Sequence, residues 1–238
     1  MRLDAIQSDI LRYILENGYG PGDRLPTIQT ISQAMDVSVA KARESLEVAR
    51  ALGIVEVKPG RGTRVSPYSF APAATLGALF AIGMDEAHFA HLRELRKALE
   101  IQFWDEATGQ LTPADLDRLR ELIAAAFNML ETDPVQVPAK EHRAFHLTIF
   151  SHLDNLFVLG ILEAFWEAYE AFGLNLYREL SYHRTVWEYH ARMVDAIEAG
   201  DIERGRRLLI EHMNLMQFRQ AAERSENSAS GPRAIQFE

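Results

Sequence analysis

The 238-residue chain contains no cysteine. That excludes a disulfide framework, a thiolate metal site and a thiol nucleophile. It also has no run approaching 18 uninterrupted apolar residues, and its first stretch, MRLDAIQSDILRYILENG, interleaves charge with apolar residues from the outset. Neither a membrane span nor a secretory h-region is expected from that pattern, so the expectation is a soluble, cytoplasmic protein with no membrane partner. No Gly-x-Ser-x-Gly elbow occurs, which removes the usual setting for an activated hydrolytic serine.

What is present is an ordinary globular composition, 47% hydrophobic and 25% charged, at a length sufficient for two cores. The net charge of −9 argues at first against a nucleic-acid partner. Its distribution changes the reading. The first 67 residues carry nine cations against eight acids, and the remainder sixteen against twenty-six. Within the first segment, Lys58 to Arg64 holds three cations and no acid, a local footprint for phosphate.

Apolar spacing predicts a helix from Leu3 to Glu16, stopped by Asn17-Gly18 and followed by the turn cluster Gly20-Pro21-Gly22-Asp23. Thr27 caps a short helix through Met35, and after a break at Asp36-Val37, Ser38 caps a third running to Leu52. Gly53 stands where a left-handed residue ends a helix. The β-type runs Ile54–Val57 and Thr63–Val65 flank Lys58-Pro59-Gly60-Arg61-Gly62, a hairpin signal. Three helices and a basic hairpin in about 65 residues read as a winged helix-turn-helix. The stretch from Ser66 to Ala74 (SPYSFAPAA) is rich in Ser, Pro and Ala, and 68–74 read as a linker. Helical patterns follow at 75–82, 85–108, 113–131, 138–152, 155–179, 183–199 and 201–222, with a polar tail at 223–238 expected to be disordered. The fold class is therefore mainly α: a winged helix-turn-helix (1–67) followed by an all-α antiparallel bundle of six or seven helices (75–222).

A helix-turn-helix places its second helix in the major groove, where exposed residues of the first turns reach base edges. On Ser38–Leu52 the helical projection turns Ala42, Leu46 and Ala49 inward, and Ala40, Lys41, Arg43, Glu44 and Glu47 outward. Lys41 and Arg43 are thus candidates for base or phosphate contact. Thr27 and Ser38 sit at helix N-termini, which favour phosphate. Gly60 lets the wing approach a backbone closely, and Arg61 and Arg64 are placed for phosphate or minor groove. Each of these charges singly is also an ordinary solvated group; the ordered set points to double-stranded DNA.

All eight histidines lie from residue 88 onward, in the part read as all-helical. His142 and His146 are four apart, hence on one helix face, and His190 and His212 fall on two later helices. Imidazoles converging inside a bundle hold zinc, nickel or a similar ion. Taken singly a histidine is more often a hydrogen-bonded core or surface residue, and His88, His91 and His152 are read that way. A zincin needs His-Glu-x-x-His, but the chain has His142-Arg143-Ala144-Phe145-His146, so a metal-dependent enzyme is a lesser alternative. Phe165, Trp166, Tyr169 and Phe172 read as core or dimer packing, one or two of them as cavity lining.

The string PGDRLPT…VSVAKARESLEVARALGIVEVKPGRGTRV resembles the N-terminal domain of GntR-family bacterial regulators, through Pro21 to Pro26, Val37-Ser38, Arg43-Glu44, Leu46, Gly53 and Gly60 to Thr63. It departs at Ile28-Gln29, at Val39 where arginine is common, and at Lys41. Further on, Leu95-Arg96-Lys97-Ala98-Leu99-Glu100, then Phe145-His146 with Asp154-Asn155, and the stretch from Glu188 to His212 are similar to the FCD effector domain of the FadR subfamily. The helix at 75–82 fits that domain's longer, seven-helix version.

The resemblance implies a homodimeric DNA-binding regulator, most often a repressor, that binds a pseudo-palindromic operator and responds to an organic or sugar acid. A change of arrangement on ligand binding would alter the spacing of its DNA heads. It also implies a divalent metal, zinc or nickel, held by His146, His190 and His212. His142 stands where the family places an aspartate, which removes a negative charge and would make the site a stronger anion trap. Arg96, and one turn earlier Arg93, would pair with the effector carboxylate. The competing reading is a regulator for which the ion itself is the signal.

Overall fold

The computed structural model describes residues 3–58, 60–171 and 180–229, the stretch 216–229 as helical backbone. In chain order the elements are α1 (Asp9–Glu16), α2 (Ile28–Ala34), α3 (Val39–Ala51), β1 (Val55–Lys58), β2 (Gly62–Val65), α4 (Ala71–Met84), α5 (His88–Gln102), α6 (Trp104–Gly109), α7 (Pro113–Leu130), α8 (Ala139–Phe150), α9 (Leu156–Ala171), α10 (Leu180–Glu198) and α11 (Ile202–Ala229). Two compact units emerge: the chain up to His88 together with Asn155–Ala168, and Phe89–Asp154 together with the chain from Tyr169.

The first unit opens on a single 3₁₀ turn, Leu3–Ala5, rather than the continuous helix expected from Leu3. Ser8 is extended (φ −79°, ψ 116°), so α1 starts only at Asp9. The two later caps form as read: the Thr27 hydroxyl accepts from Thr30 N and the Ser38 hydroxyl from Lys41 N. Between them Asp36 takes a positive φ of 52°, which sets the turn of the helix-turn-helix. Ile10, Tyr13, Ile14, Leu25, Ile31, Ala49, Val55 and Val65 close one core. Each larger aliphatic side chain there contributes about 1.5–3 kcal/mol.

β1 and β2 pair antiparallel with Val55 opposite Val65 and Lys58 opposite Gly62, so the two valines share the inward face. The outer edge of β2 is held as well. Gly22 N donates to Val65 O at 2.8 Å and Leu25 N to Thr63 O at 2.9 Å.

The expected linker 68–74 needs correction. Helix α4 begins at Ala71, with Pro72 in its first turn, where a missing N–H costs nothing. Gly53 (φ +71°) ends α3 against Pro72. Gly160 of α9 lets that helix approach closely, since a Cβ there would lie 2.7 Å from Phe70 Cβ and 2.8 Å from Ala71 N. The first compact unit therefore extends past the boundary expected at residue 67, through α4 and into α9.

In the second unit, the helix expected over 85–108 is two. Phe103 (φ −95°, ψ 6°) separates α5 from α6, and the fully buried Trp104 donates Nε1 to the Ile202 carbonyl at 3.0 Å. Helix α7 starts on a capping box between Thr112 and Asp115. It packs against α8 and α10, and α10 packs against α11. The expected disorder at 223–238 is likewise corrected in part: α11 continues to Ala229, while 230–238 lie outside the described residues. So do 172–179, including Phe172, at the end of the span expected over 155–179. Among the described residues no helix is long and apolar enough to cross a membrane.

Candidate metal centre and nucleic-acid interface

On α3, Ala40, Lys41, Arg43, Glu44 and Glu47 are exposed, as the projection predicts, and Ala42 and Ala49 are buried. The third buried position is Ser45; Leu46 is only half-buried. Arg43 stands in solvent, and Lys41 Nζ lies 4.0 Å from Glu44. Thr27 and Ser38 are exposed, with their hydroxyls engaged in the caps. At the wing, Gly60 (φ +72°) and Arg61 form the exposed tip. Arg64 is placed differently from the expectation: its Nη1 donates to Gly22 O at 2.7 Å, so it ties the wing to the turn before α2. Arg24, which the sequence reading passed over, lies against Gly62 and lines a groove with Thr27, Ile28 and Thr63. The surface built by the α3 face, the wing tip and this groove suits a phosphodiester backbone flanking a major groove.

In the second unit the four histidines meet. Helix α8 carries His142 and His146 on one face, α10 carries His190 and α11 His212. One ring nitrogen from each lies within 4.8 Å of the others. His146, His190 and His212 are buried; His142 is half-buried and borders a cavity. The neighbours are largely apolar. The His190 ring stacks on Phe145 with centroids 4.2 Å apart and meets Trp187 edge-on at 4.7 Å.

Burial holds His142, His190 and His212 well below the ordinary imidazole range, and the neighbouring cationic forms lower them further. His146 is lowered by burial too, against the pull of Glu100. The cluster is therefore four neutral imidazoles at neutral pH. Both ring nitrogens of His190 and Nδ1 of His212 are buried without a hydrogen-bond partner. Leaving such groups unsatisfied costs about 1–3 kcal/mol each. Lone pairs buried, unpaired and converged on one point fit a divalent ion.

Beside the cluster, α5 contributes Arg96 and Glu100, one turn apart and both buried. Arg96 Nε donates to Glu100 Oε1 at 2.7 Å, and His146 Nδ1 lies 3.0 Å from Glu100 Oε2. Burial alone would raise the Glu100 carboxyl; Arg96 and then His146 outweigh it and hold the group at about 2. The cavity is lined by Arg93, Arg96, Lys97, His142, Tyr182 and His212. Lys97 Nζ donates to Asn214 Oδ1 at 2.6 Å. The two arginines predicted for the effector thus share the cavity with two of the four histidines.

Nothing in the sequence pattern gives His183 a role. It is buried and close enough to His142 to depress it. His88 and His91 are exposed, and His152 Nε2 pairs with Asp115 at 2.8 Å on the surface. Phe165, Trp166 and Tyr169 are buried.

With this geometry in view, residues 3–65 match the family described as bacterial regulatory proteins, gntR family, and residues 91–215 match the FCD domain. The chain belongs to the GntR family and carries an FCD domain. As a GntR-family transcriptional regulator of FadR-like organisation, it is similar to the HTH-type transcriptional regulator LutR of Bacillus subtilis. The two are 28% identical over 210 residues, 84% of this chain and 93% of that protein. It is 22% identical over 221 residues to the putative L-lactate dehydrogenase operon regulatory protein of Escherichia coli, covering 90% of this chain and 84% of that one. Among solved structures, Streptococcus agalactiae GntR shares the fold with a TM-score of 0.64 at 20% identity, over 90% of this chain and 98% of that one.

Proposed function

We propose that this GntR-family protein is a repressor that binds a pseudo-palindromic operator as a homodimer and releases it when a small carboxylate enters the FCD cavity. The observation that carries this reading is the meeting, in one cavity, of two arginines with His142 and His212 of the four-histidine cluster. His142, His146, His190 and His212 would hold zinc or nickel. The ion, when bound, supplies a Lewis-acidic anchor for a carboxylate oxygen. Arg96, with Arg93 beside it, orients the carboxylate from the other side in bidentate fashion. An organic or sugar acid meets those demands, and the Escherichia coli relative is named for an L-lactate dehydrogenase operon.

On the DNA side, Arg43 and Lys41 enter the major groove. Arg61 at the wing tip, with Gly60 allowing close approach and Thr27 and Ser38 at helix starts, contacts phosphate. Acid binding shifts a two-state equilibrium of the dimer away from the operator-competent form. A regulator and not an enzyme is the better reading, because the position after His142 is Arg143, where a zincin needs the glutamate that serves as its general base. A protein acting on an operator works in the cytoplasm.

The test uses the purified full-length protein, loaded with zinc or nickel, and DNA from upstream of its own gene. Gel-shift titrations with L-lactate and with a panel of uronic and aldonic acids should show tight binding that one acid relieves. Substoichiometric metal after loading, with His146→Ala unchanged from wild type, would overturn the metal centre; DNA binding indifferent to every acid would overturn the effector class.

A second reading has its own support. Four protein nitrogens complete a tetrahedral shell, which zinc accepts with no open position, whereas six-coordinate nickel keeps two. Under a closed shell the ion itself is the signal. Operator affinity that responds to zinc in the absence of any acid would favour that reading.

A further inference from the structure

We infer that Glu100 is a positioning residue for the metal centre: it sets which nitrogen of His146 faces the ion. The inference rests on the metal reading above and names a role within it. Glu100, completely buried, is hydrogen-bonded to the cluster through His146, at 3.0 Å from Nδ1. An ionised carboxylate can only accept, so the hydrogen of that bond resides on Nδ1. His146 then has its lone pair on Nε2, directed into the cluster, with the ring plane fixed by the same bond.

The second oxygen of Glu100 is also committed. It accepts from Arg96 Nε at 2.7 Å, which orients the guanidinium that borders the cavity. One carboxylate on α5 therefore orients a metal ligand on α8 with one oxygen and the acid-facing arginine of its own helix with the other. A purely structural ion pair between Arg96 and Glu100 needs only the second of these bonds. The first, besides satisfying two buried polar groups, fixes the tautomer and ring plane that His146 presents to the cluster.

The experiment measures zinc affinity by competition with a chromophoric chelator for the wild type, Glu100→Gln and Glu100→Asp. Cobalt(II) absorption spectra and the unfolding midpoint of each metal-free protein accompany it. Glu100→Gln should bind zinc 10–100-fold more weakly, as expected for loss of an outer-sphere partner of a ligating histidine. Its cobalt d–d bands should shift, and Glu100→Asp should recover part of both. Equal zinc affinity and an unchanged cobalt spectrum in Glu100→Gln would overturn the role while leaving the metal reading intact. A wild type that binds no zinc would overturn the metal reading and this role with it. Independently of how the variants fold, long-range proton–nitrogen NMR on the metal-free wild type should find His146 as the Nδ1–H tautomer. The Nε2–H tautomer would overturn the assignment.

Discussion

Arg64 on the wing donates to the Gly22 carbonyl at 2.7 Å, across 42 residues of chain. A residue whose type and position suggest phosphate contact is thus engaged within its own domain. Arg64→Ala should lower the stability of the free protein by about 0.5–1.5 kcal/mol, the range for one intramolecular hydrogen bond. Urea denaturation measures it. If the unfolding midpoint is unchanged and only operator affinity falls, the arginine serves DNA and the bond to Gly22 is incidental.

Arg43 and Arg61 are both exposed, but one is on the reading helix and the other on the wing tip. Arg43→Ala should cost about 1–3 kcal/mol on the preferred operator and relax selectivity at one base pair. Arg61→Ala should weaken binding equally across sequences and reduce the salt slope by about one. Binding measured on an operator library at several salt concentrations separates the two; identical behaviour of both variants would contradict this division of labour.

His142 tests the ligand set from the other direction. Because its ring nitrogen lies within 4.8 Å of the other three, His142→Asp puts a carboxylate at the same point of the helix face. That variant should still load one ion per chain, with its zinc-over-manganese preference reduced, since carboxylate oxygen suits harder ions. Competition titration with both metals provides the readout, and an unchanged preference would remove His142 from the ligands.

The capping box of α7 carries a pH signature. Asp115 accepts from the Thr112 hydroxyl and backbone N–H and from His152, and these bonds hold its carboxyl at about 2, below the usual 3.8. A depressed folded value means that the stabilisation is fully present above the ordinary carboxylate range and is lost as pH falls from about 4 through 2. Thr112→Ala should cost about 1 kcal/mol at pH 7. The stability gap between wild type and Asp115→Asn should be full at pH 7 and shrink as pH falls from 4 towards 2. A gap that stays constant over that range would show that the Asp115 bonds contribute nothing to the cap.

The residues that were legible in the sequence are those whose role is settled within a few positions. Thr27, Ser38 and Gly53 sit at helix ends because cap chemistry is local, and the outward face of α3 follows from a 3.6-residue period. The misses have distant causes. Phe103 breaks a helix with no glycine or proline nearby, beside a Trp104 that answers to Ile202. The Pro- and Ala-rich 68–74 reads as a linker until Gly53 and Gly160 are seen to receive Pro72, Phe70 and Ala71. In the site, four histidines could be nominated by type and spacing, yet their convergence depends on packing among three helices. Glu100 has no role that its own stretch of sequence reveals, because its partner His146 lies 46 residues away. His183 is illegible for a different reason: a buried histidine and an exposed one look alike in a string.

Helices α10 and α11 follow one another directly, but α8 is separated from them by residues 151–179, and an ion among the three would be a reversible clasp on the second unit. Ligation energy would then be folding energy, drawn from the surrounding pool of free ion. Metal scarcity would raise the unfolded fraction and expose it to proteolysis, so that the number of regulator molecules, and not only their occupancy of DNA, would track metal supply.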